Sequence, residues 1–592
     1  MKFYLICLFF TGSSSVKLFW DPPPEPETTT KSTISPIVDG STVTQTIRRE
    51  TENELNKSPA GVMARLSKGG VRYITYVVGN ALTSQISTPS NTIDPDAKIF
   101  TLKSLPTMNL NKIKITNFLM PRDFHLDFHP PAAVKIHLIS GNVSISSLAN
   151  GHINGNDIEN NLLQIKTKKL QLDLTIDMWK NSRGSLHLNI STCRIPPNIP
   201  VTLSVSKPMI SSSGKLLANS ISQSGNAIFE NAICTKLIQI INDRVNKRFE
   251  LLPTKVPLAE ASNFDVVEKI AEAEERAKRR TTGRRRLSSH RRSKRQQRRM
   301  HAFLRGFDWR KINALSLDYS MVTPLRITTN GIEVGTSGQI SMAGVTTPFT
   351  AAPLALPSEA PKSMLTMIVS DFVPNTLMYH GHRVGLFNTK VEPRTPSLGP
   401  MMRTTCDLST GSLFCLGDIF PTLRDTYPNK YLMLEFKTLH PPNMIVKSEK
   451  DGGIKFSVIG LITLTGLNGM IPTGNERPLG SMEINLKAKV DMRLASSFVR
   501  GKLTLEDIKF TTRTPKVLTQ EELDDAGFLS REIMQRMVND ILKQGIPIPV
   551  HPLFKLSKPK LSLTNRAMVF QTDFDLNEAI IKQLTSANLR KS

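Results

Sequence analysis

The chain of 592 residues carries 76 Lys and Arg against 50 Asp and Glu, which gives a formal net charge of +26. Hydrophobic residues make up 39% of the sequence, enough to build folded cores, so a wholly disordered chain is excluded. The run from Arg276 to Arg299 holds 13 Arg and Lys, no acid, and no Phe, Tyr or Trp to stack on a base. Because nucleic-acid readers usually fold around their basic face, this composition predicts a disordered basic segment rather than a nucleic-acid-binding fold.

The amino terminus has the pattern of a secretory signal. Lys2 precedes the apolar run FYLICLFF, and the small residues of TGSSS follow it. A positive residue, a short apolar run and small residues at a cleavage site are typical of exported proteins. The eight apolar residues are too few to span a bilayer, and no later stretch reaches the ~18 residues that a membrane helix needs. We therefore expect residues 1–15 to be a signal peptide and the protein to be secreted and extracellular.

The first folded unit is expected at residues 60–258, after a Pro- and Thr-rich disordered tail at residues 16–59. The stretch GVMARLSKGGVRYITYVVGNALTSQI has apolar residues at helical spacing. Alternating segments such as KIKITNFLM, VKIHLISGNVSI and LQLDLTIDMW follow, and they predict strands with one apolar face. A second long helix is predicted over FENAICTKLIQIINDRVNKRFELLP, with Pro253 at its end.

The second half of the chain repeats this order. It follows a basic disordered insert at residues 259–312, central sheet strands at residues 313–347 and a Pro-rich linker at residues 348–362. Within residues 363–592, a helix is predicted to begin at Ser370-Asp371, and strands are predicted at YLMLEFKTL, IKFSVIGLITLTGL, SMEINLKAKVDMRL and GKLTLEDIKF. A late helix is predicted over REIMQRMVNDILKQG. The chain therefore contains two copies of one plan: helix, long alternating strands, long helix.

Signatures of enzymes are missing, because no GxSxG elbow, HExxH, P-loop or dinucleotide glycine pattern occurs. We therefore expect neither catalysis nor a cofactor. The segment DFHLDFH places Asp123, His125, Asp127 and His129 on one face of a strand, and these residue types can bind zinc. Neighbours on a single strand seldom converge on one ion, so we expect a polar outer face there and no metal site.

The number of cysteines agrees with export of the protein. An even number remains after removal of the signal, as expected in an oxidising compartment, and without CxxC spacing their three possible pairings stay open. These cysteines are Cys193, Cys234, Cys406 and Cys415. Sequons for N-glycosylation occur at Asn56, Asn142 and Asn189.

Several segments, in one order along the chain, carry a resemblance to a known family. They are GVMARLSKGGVRY, the spacing of Cys193 and Cys234, LLPTKVPL, LDYSMVTP, VSDFVPNTLMYHGHRVGLF, IFPTLRDTYPNKYLMLEF and ILKQGIPIPVHPLFKLSKPKLSLTN. Together they resemble the family of bactericidal/permeability-increasing protein and lipopolysaccharide-binding protein, whose fold is shared by cholesteryl ester and phospholipid transfer proteins. The resemblance covers residues 60–258 and 313–580.

The resemblance implies an α+β fold of two similar barrels, each a twisted antiparallel sheet packed on long helices, joined by a central sheet into a boomerang. It implies a disulfide between Cys193 and Cys234, and the short spacing of Cys406 and Cys415 indicates a second. It also implies a phospholipid in an apolar pocket of each barrel, since each buried CH₂ contributes about 0.8 kcal/mol. The expected pocket residues are Val71, Ile74, Val78, Leu82, Leu237, Ile241, Val245, Phe249, Phe372, Leu377, Ile533, Met537 and Ile541.

The implied function is that of a secreted lipid-binding or lipid-transfer protein for phospholipid or another amphipathic lipid, with a role in innate defence. Two alternatives stay open: a lipopolysaccharide-binding antibacterial protein, and a module that binds glycans or nucleic acid through the basic insert. The stretch from Ser144 to Ile165, which corresponds to the family's cationic tip, has no Lys or Arg and carries Asp157 and Glu159. A phosphorylated glycolipid needs cations there, so the sequence disfavours lipopolysaccharide at this tip.

The basic insert has no counterpart in the family. Three roles compete for it: attraction to an anionic membrane surface or glycans, binding of extracellular nucleic acid, which its composition disfavours, and cleavage at RAKR or RSKR. An inert solubilising loop is the remaining interpretation. The residues expected to act in these roles are Arg276, Arg279, Arg284, Arg285, Arg286, Arg292, Lys294 and Arg295.

Overall fold

The structure is a computed structural model. It describes residues 60–87, 99–258, 309–395, 398–406, 415–495, 498–527 and 554–585, and single residues at 530, 531, 535, 539, 546 and 547. The predicted signal peptide, the tail with Asn56 and the basic run from Arg276 to Arg299 lie outside the described residues. So do Ile533, Met537 and Ile541 of the expected second pocket.

The first half of the chain consists of antiparallel strands and two long helical stretches. Its strands are β1 (Val62–Leu66), β2 (Phe100–Leu102), β3 (Leu105–Asn117), β4 (Phe124–His129), β5 (Ala133–Ser140), β6 (Val143–Ile153), β7 (Asn156–Thr167), β8 (Leu170–Lys180), β9 (Leu186–Arg194), β10 (Thr202–Val205) and β11 (Lys255–Pro257). Its helices are α1 (Lys68–Ser87), α2 (Ser211–Ile240), the π-helical segment Ile241–Asn246 and α3 (Lys247–Leu251). One sheet has the order β10-β7-β6-β3-β2, and another has the order β4-β5-β8-β9.

The second half has longer strands and shorter helices. Its strands are β12 (Leu315–Asp318), β13 (Arg326–Thr328), β14 (Gly331–Thr336), β15 (Ile340–Met342), β16 (Leu365–Ser370), β17 (Thr389–Val391), β18 (Tyr431–Thr438), β19 (Asn443–Val446), β20 (Ile454–Leu467), β21 (Pro478–Ala495), β22 (Phe498–Thr512), β23 (Ile546–Pro547), β24 (Phe554–Thr564) and β25 (Ala567–Leu576). Its helices are α4 (Phe372–Arg383), α5 (Leu416–Ile419), α6 (Pro421–Thr426) and α7 (Glu578–Thr585), with 3₁₀ turns at Trp309–Ala314, Gly399–Met401 and Glu449–Asp451. The large sheet here has the order β17-β18-β20-β21-β22-β23, with β19 beside β20.

A six-stranded central sheet joins the two halves, in the order β13-β14-β1-β16-β25-β24. Strand β1 lies in its middle, where Ala64 is opposite Val334 of β14 on one side and Met367 of β16 on the other. The central sheet and the antiparallel pairing therefore agree with the sequence prediction. Among the described strands, however, no sheet closes on itself, so the closed barrels expected from the resemblance are not present there.

Helix α2 begins at Ser211, well before the FENAICT segment at which the sequence predicted a helix. Its first half is rich in Ser, Gly and Asn, which have weak helix propensity. Yet Ser220, Ser224 and Gly225 are buried, and a Cβ on Gly225 would lie 2.7 Å from Val201 Cγ2. Small side chains let the helix lie close to its neighbours, so tertiary packing rather than propensity forms this part of the helix.

The Pro-rich segment at residues 348–362 is fixed against the central sheet. Leu354 and Leu356 pack on a small buried cluster that includes Ile368 and Val569. Arg65 Nη1 of β1 donates to the Pro357 carbonyl at 2.5 Å. The segment therefore covers part of the sheet that joins the two halves.

Candidate functional site

One face of β8 and β9 carries six apolar side chains that are only half buried. The register places Ile176 opposite Ile190 and Met178 opposite Leu188, and alternate positions of a strand share a face. The six are Leu174, Ile176, Met178, Leu186, Leu188 and Ile190. Leu172, on the same face of β8, is only 1% exposed. The apolar face thus runs from a dry core to side chains that stay partly accessible, as expected for a slot that opens at one end.

Six of the eight pocket residues predicted in the first half belong to one main core, which runs from the first half through the central sheet. They are Val71 and Leu237, which are buried, and Ile74, Val78, Leu82 and Val245, which are half buried. Ile241 is buried and Phe249 is half buried, but neither is part of that cluster. We call the half-buried helix residues, together with the six side chains of β8 and β9, the apolar slot.

The side-chain amide of Asn246, in the π-helical segment, forms hydrogen bonds with the edge strand β9. Leu188 N–H donates to Asn246 Oδ1 at 3.0 Å, and Asn246 Nδ2 donates to the Leu188 carbonyl at 2.8 Å. Asn246 is 3% exposed. Its side chain therefore takes the place of the strand that this sheet edge lacks, which satisfies the edge without closing a barrel. We call these two hydrogen bonds the Asn246 clamp; it lies beside the slot residue Val245.

The second half contains an equivalent contact. Leu503 N–H donates to Asn539 Oδ1 at 2.7 Å, and Asn539 Nδ2 donates to the Leu503 carbonyl at 2.8 Å. The two strands share a sequence pattern, RGSLHL at residues 183–188 and RGKLTL at residues 500–505, and each asparagine follows a valine. Leu188 is the last residue of the first pattern and Leu503 is the fourth of the second, so the two contacts are similar in kind but offset by two residues along the strand. Neither asparagine was predicted as a site residue, although this repeated pattern was the signal that could have found them.

Comparison with known proteins places the second half of the chain in a family. Residues 311–576 match the model described as "LBP / BPI / CETP family, C-terminal domain". The second half of the chain therefore contains a C-terminal domain of the LBP/BPI/CETP family type. The family resemblance predicted from the sequence is confirmed by this match, and that family implies lipid binding or lipid transfer.

Two solved structures are similar to this chain. One is described as the crystal structure of lipopolysaccharide binding protein; it is 15% identical, with a TM-score of 0.45, over 88% of this chain and 99% of that one. The other is the crystal structure of Takeout 1 from Epiphyas postvittana, which is 13% identical, with a TM-score of 0.20, over 28% of this chain and 87% of that one. Within the described residues, no helix combines the length and apolar character needed to cross a membrane.

The hairpin of β6 and β7 contains the stretch Ser144–Ile165, which the sequence resemblance matches to the family's cationic tip and which has no Lys or Arg. His152 Nδ1 contacts Asp157 Oδ1 across the hairpin. Lys207 Nζ, which follows β10, donates to the Glu159 carbonyl at 3.0 Å. The tip of this hairpin therefore offers the carboxylates of Asp157 and Glu159 and no cation of its own; Lys207 comes from a neighbouring segment.

The carboxyl-terminal helix α7 packs against α1 and the π-helical segment, although it comes from the other end of the chain. Leu576 N–H donates to Tyr73 Oη at 3.0 Å, and the Tyr73 ring meets Phe574 edge-on at 6.0 Å. Ile581 is 7% exposed and belongs to the main core. The end of the chain thus covers the helix that carries the slot residue Ile74.

The cysteines pair as predicted. The sulfur atoms of Cys193 and Cys234 are 1.90 Å apart, and those of Cys406 and Cys415 are 2.00 Å apart. The first disulfide joins β9 to α2, so it holds the long helix beside the strand that carries half of the slot. The sequon residues Asn142 and Asn189 are both exposed.

Phe372 and Leu377, which were expected in the second pocket, lie on α4. They are 8% and 2% exposed and belong to the main core. A separate core of the second half is built around Leu432, Leu464 and Phe510 instead. The structure therefore does not bring these two predicted residues into the core of the large second sheet.

Proposed function

We propose that the protein is a secreted lipid-binding or lipid-transfer protein that holds phospholipid acyl chains in the apolar slot. The half-buried apolar face of β8 and β9 is the observation that carries this proposal. Each CH₂ group that leaves water contributes about 0.8 kcal/mol, so an acyl chain can be held there without an ion pair. Helix α7 and the disulfide between Cys193 and Cys234 fix the elements on either side.

A second lipid site in the other half is part of the same proposal, as is an arrangement of two barrel-like units in a boomerang. The equivalent contacts of Asn246 and Asn539, each made with an RGxLxL strand, support a duplicated unit. Lipid binding in innate defence remains the broader role. Recognition of lipopolysaccharide is the less favoured alternative, because the β6–β7 hairpin offers carboxylates where a phosphorylated headgroup needs cations.

If the apolar slot holds acyl chains, a charged substitution on β8 should reduce phospholipid uptake only on the face that lines the slot. We expect Ile176→Arg to reduce uptake of a fluorescent phospholipid by delipidated protein at least tenfold, because the guanidinium would stand among acyl chains without a partner. Ile176 is only half buried, so the Arg head can reach water and the protein should still fold.

The matched control is Thr175→Arg. Thr175 is the next residue on β8 and lies opposite Lys135, on the other face of the sheet. Its uptake should equal that of the wild type. Equal loss in both variants would contradict a slot on the Ile176 face, and normal uptake by Ile176→Arg would contradict lipid binding there.

The polyanion alternative rests on the 13 cations between Arg276 and Arg299. We expect deletion of Lys278 to Arg299 to lower the salt concentration needed to elute the protein from heparin, since retention on a polyanion scales with the number of neutralised charges. Secretion and phospholipid uptake should be unchanged. Elution at the same salt concentration would contradict the electrostatic role, and loss of uptake would show that the insert belongs to the lipid site.

A further inference from the structure

The outer face of the four-stranded sheet carries a row of imidazole and carboxylate side chains across three strands. His125 of β4 is directly opposite His137 of β5, and His137 is directly opposite Asp173 of β8. Directly opposite residues share a face, with Cβ atoms about 4.5–5.5 Å apart. Asp127, two residues after His125, shares that face. Neighbouring strands thus supply the convergence that the segment DFHLDFH lacks by itself.

Two of these groups already stand at a separation that suits a metal. His125 Nε2 lies 3.0 Å from Asp127 Oδ2. Zinc–nitrogen and zinc–oxygen bonds of about 2.0–2.1 Å in a tetrahedron place two ligand atoms about 3.3 Å apart. Lys68 Nζ holds the other oxygen, Oδ1, at 3.2 Å. That hydrogen bond lowers the pKa of Asp127, so the carboxylate is ionised at neutral pH.

His137 has the orientation of a supported metal ligand. Its Nδ1 contacts Asp173 Oδ1. When a carboxylate holds one ring nitrogen of histidine, it fixes the tautomer and leaves the other nitrogen to bind a metal. Nε2 of His137 is therefore the ring nitrogen left to bind a metal.

We propose that His125, His137 and Asp127 form a surface zinc site, with Asp173 as a positioning residue and water in the fourth coordination position. Within the described residues, one set of three possible metal ligands already has its ligand atoms within 4.8 Å of one another: Cys406, Cys415 and Asp418. The two sulfur atoms of that set are joined in a disulfide and cannot bind a metal. The histidine site therefore forms when the exposed side chains of His125 and Asp127 turn toward Nε2 of His137, while Nδ1 of His137 stays on Asp173.

The test is titration of the secreted full chain, expressed without a histidine tag, with ZnCl₂ by isothermal calorimetry at pH 7.4. We expect one site that His125→Gln and His137→Gln each weaken at least tenfold, and that Asp173→Asn weakens 10–100-fold.

The matched control is His152→Gln, which removes the other surface pair of histidine and aspartate, His152 with Asp157. Zinc affinity should be unchanged in this variant. The proposal is overturned if the wild type does not bind zinc. It is equally overturned if His125→Gln and His137→Gln bind as the wild type does, or if His152→Gln weakens binding as much as they do. All of these positions are partly exposed, so the variants should fold.

Discussion

Replacing Glu333 with alanine is expected to lower the free energy of unfolding by about 3–5 kcal/mol, because it leaves a buried cation without its partner. Arg65 of β1 is 5% exposed. Its Nη2 lies 2.7 Å from Glu333 Oε1 of β14, and the two residues are directly opposite in the central sheet. Thr328 Oγ1 also donates to Glu333 Oε1 at 3.3 Å. The measurement is the urea midpoint of the secreted protein.

Two variants separate this effect from a general loss of charge. Glu483→Ala breaks the exposed pair of Glu483 with Arg513, which should cost less than about 1 kcal/mol. The double variant Arg65→Met with Glu333→Leu should recover most of the lost stability, because it removes both buried charges. If Glu333→Ala cost no more than Glu483→Ala, the buried pair would not stabilise the central sheet.

Asn246→Ala is expected to cost about 2–4 kcal/mol, since it removes a buried side chain that pairs with both the backbone donor and the backbone acceptor of half-buried Leu188. It should also loosen the contact of the long helix with β9 and raise the rate at which bound phospholipid exchanges. Asn539→Ala, which removes the equivalent contact with Leu503, should have a similar cost. Chemical denaturation gives the stability, and dequenching of a fluorescent phospholipid gives the exchange rate.

Asn242→Ala is the control for the Asn246 clamp. Asn242 lies one turn earlier and is exposed, and its link to Asn246 is a long contact of 3.5 Å. This change should stay within about 0.5 kcal/mol of the wild type. An Asn246→Ala protein as stable as Asn242→Ala would mean that water satisfies the edge of β9 equally well.

Much of the fold could be predicted because its signals are local. Alternating segments become strands with one buried face, and Leu252 turns to an extended conformation (ψ 122°) ahead of Pro253, as a residue before proline should. The start of α2 could not be predicted, because its Ser- and Gly-rich first half depends on close packing against residues such as Val201. Sheet closure also depends on distant contacts, as the Asn246 clamp at β9 illustrates.

The partners of Asp371, at the start of α4, could not be predicted either. Ser370-Asp371 was predicted as a helix start, and α4 does begin at Phe372. The Asp371 carboxylate does not cap the helix; Arg566 Nε lies 2.7 Å from its Oδ2, and Val446 N–H donates to the same oxygen at 3.3 Å. Burial raises the pKa of Asp371. These partners come from β19 and the β24–β25 turn, so no local pattern could have identified them.

The candidate slot was predicted from its helices and not from its sheet. The stripes on α1 and on the second predicted helix, whose later part is the π-helical segment, gave Ile74, Val78 and Val245 through their helical spacing and the family resemblance. The half-buried face of β8 and β9 has the same alternation as any strand with one buried face. Partial exposure of Ile176 and Ile190 depends on what the other elements leave uncovered, which only the assembled structure specifies.

Mass spectrometry of lipid extracted from the secreted protein tests the central claim most directly. If phospholipid is held in the apolar slot, wild type and Thr175→Arg should carry it in near-stoichiometric amount, and Ile176→Arg should carry much less. Wild-type protein that is folded but free of extractable lipid, and that takes up none when phospholipid vesicles are supplied, would contradict it.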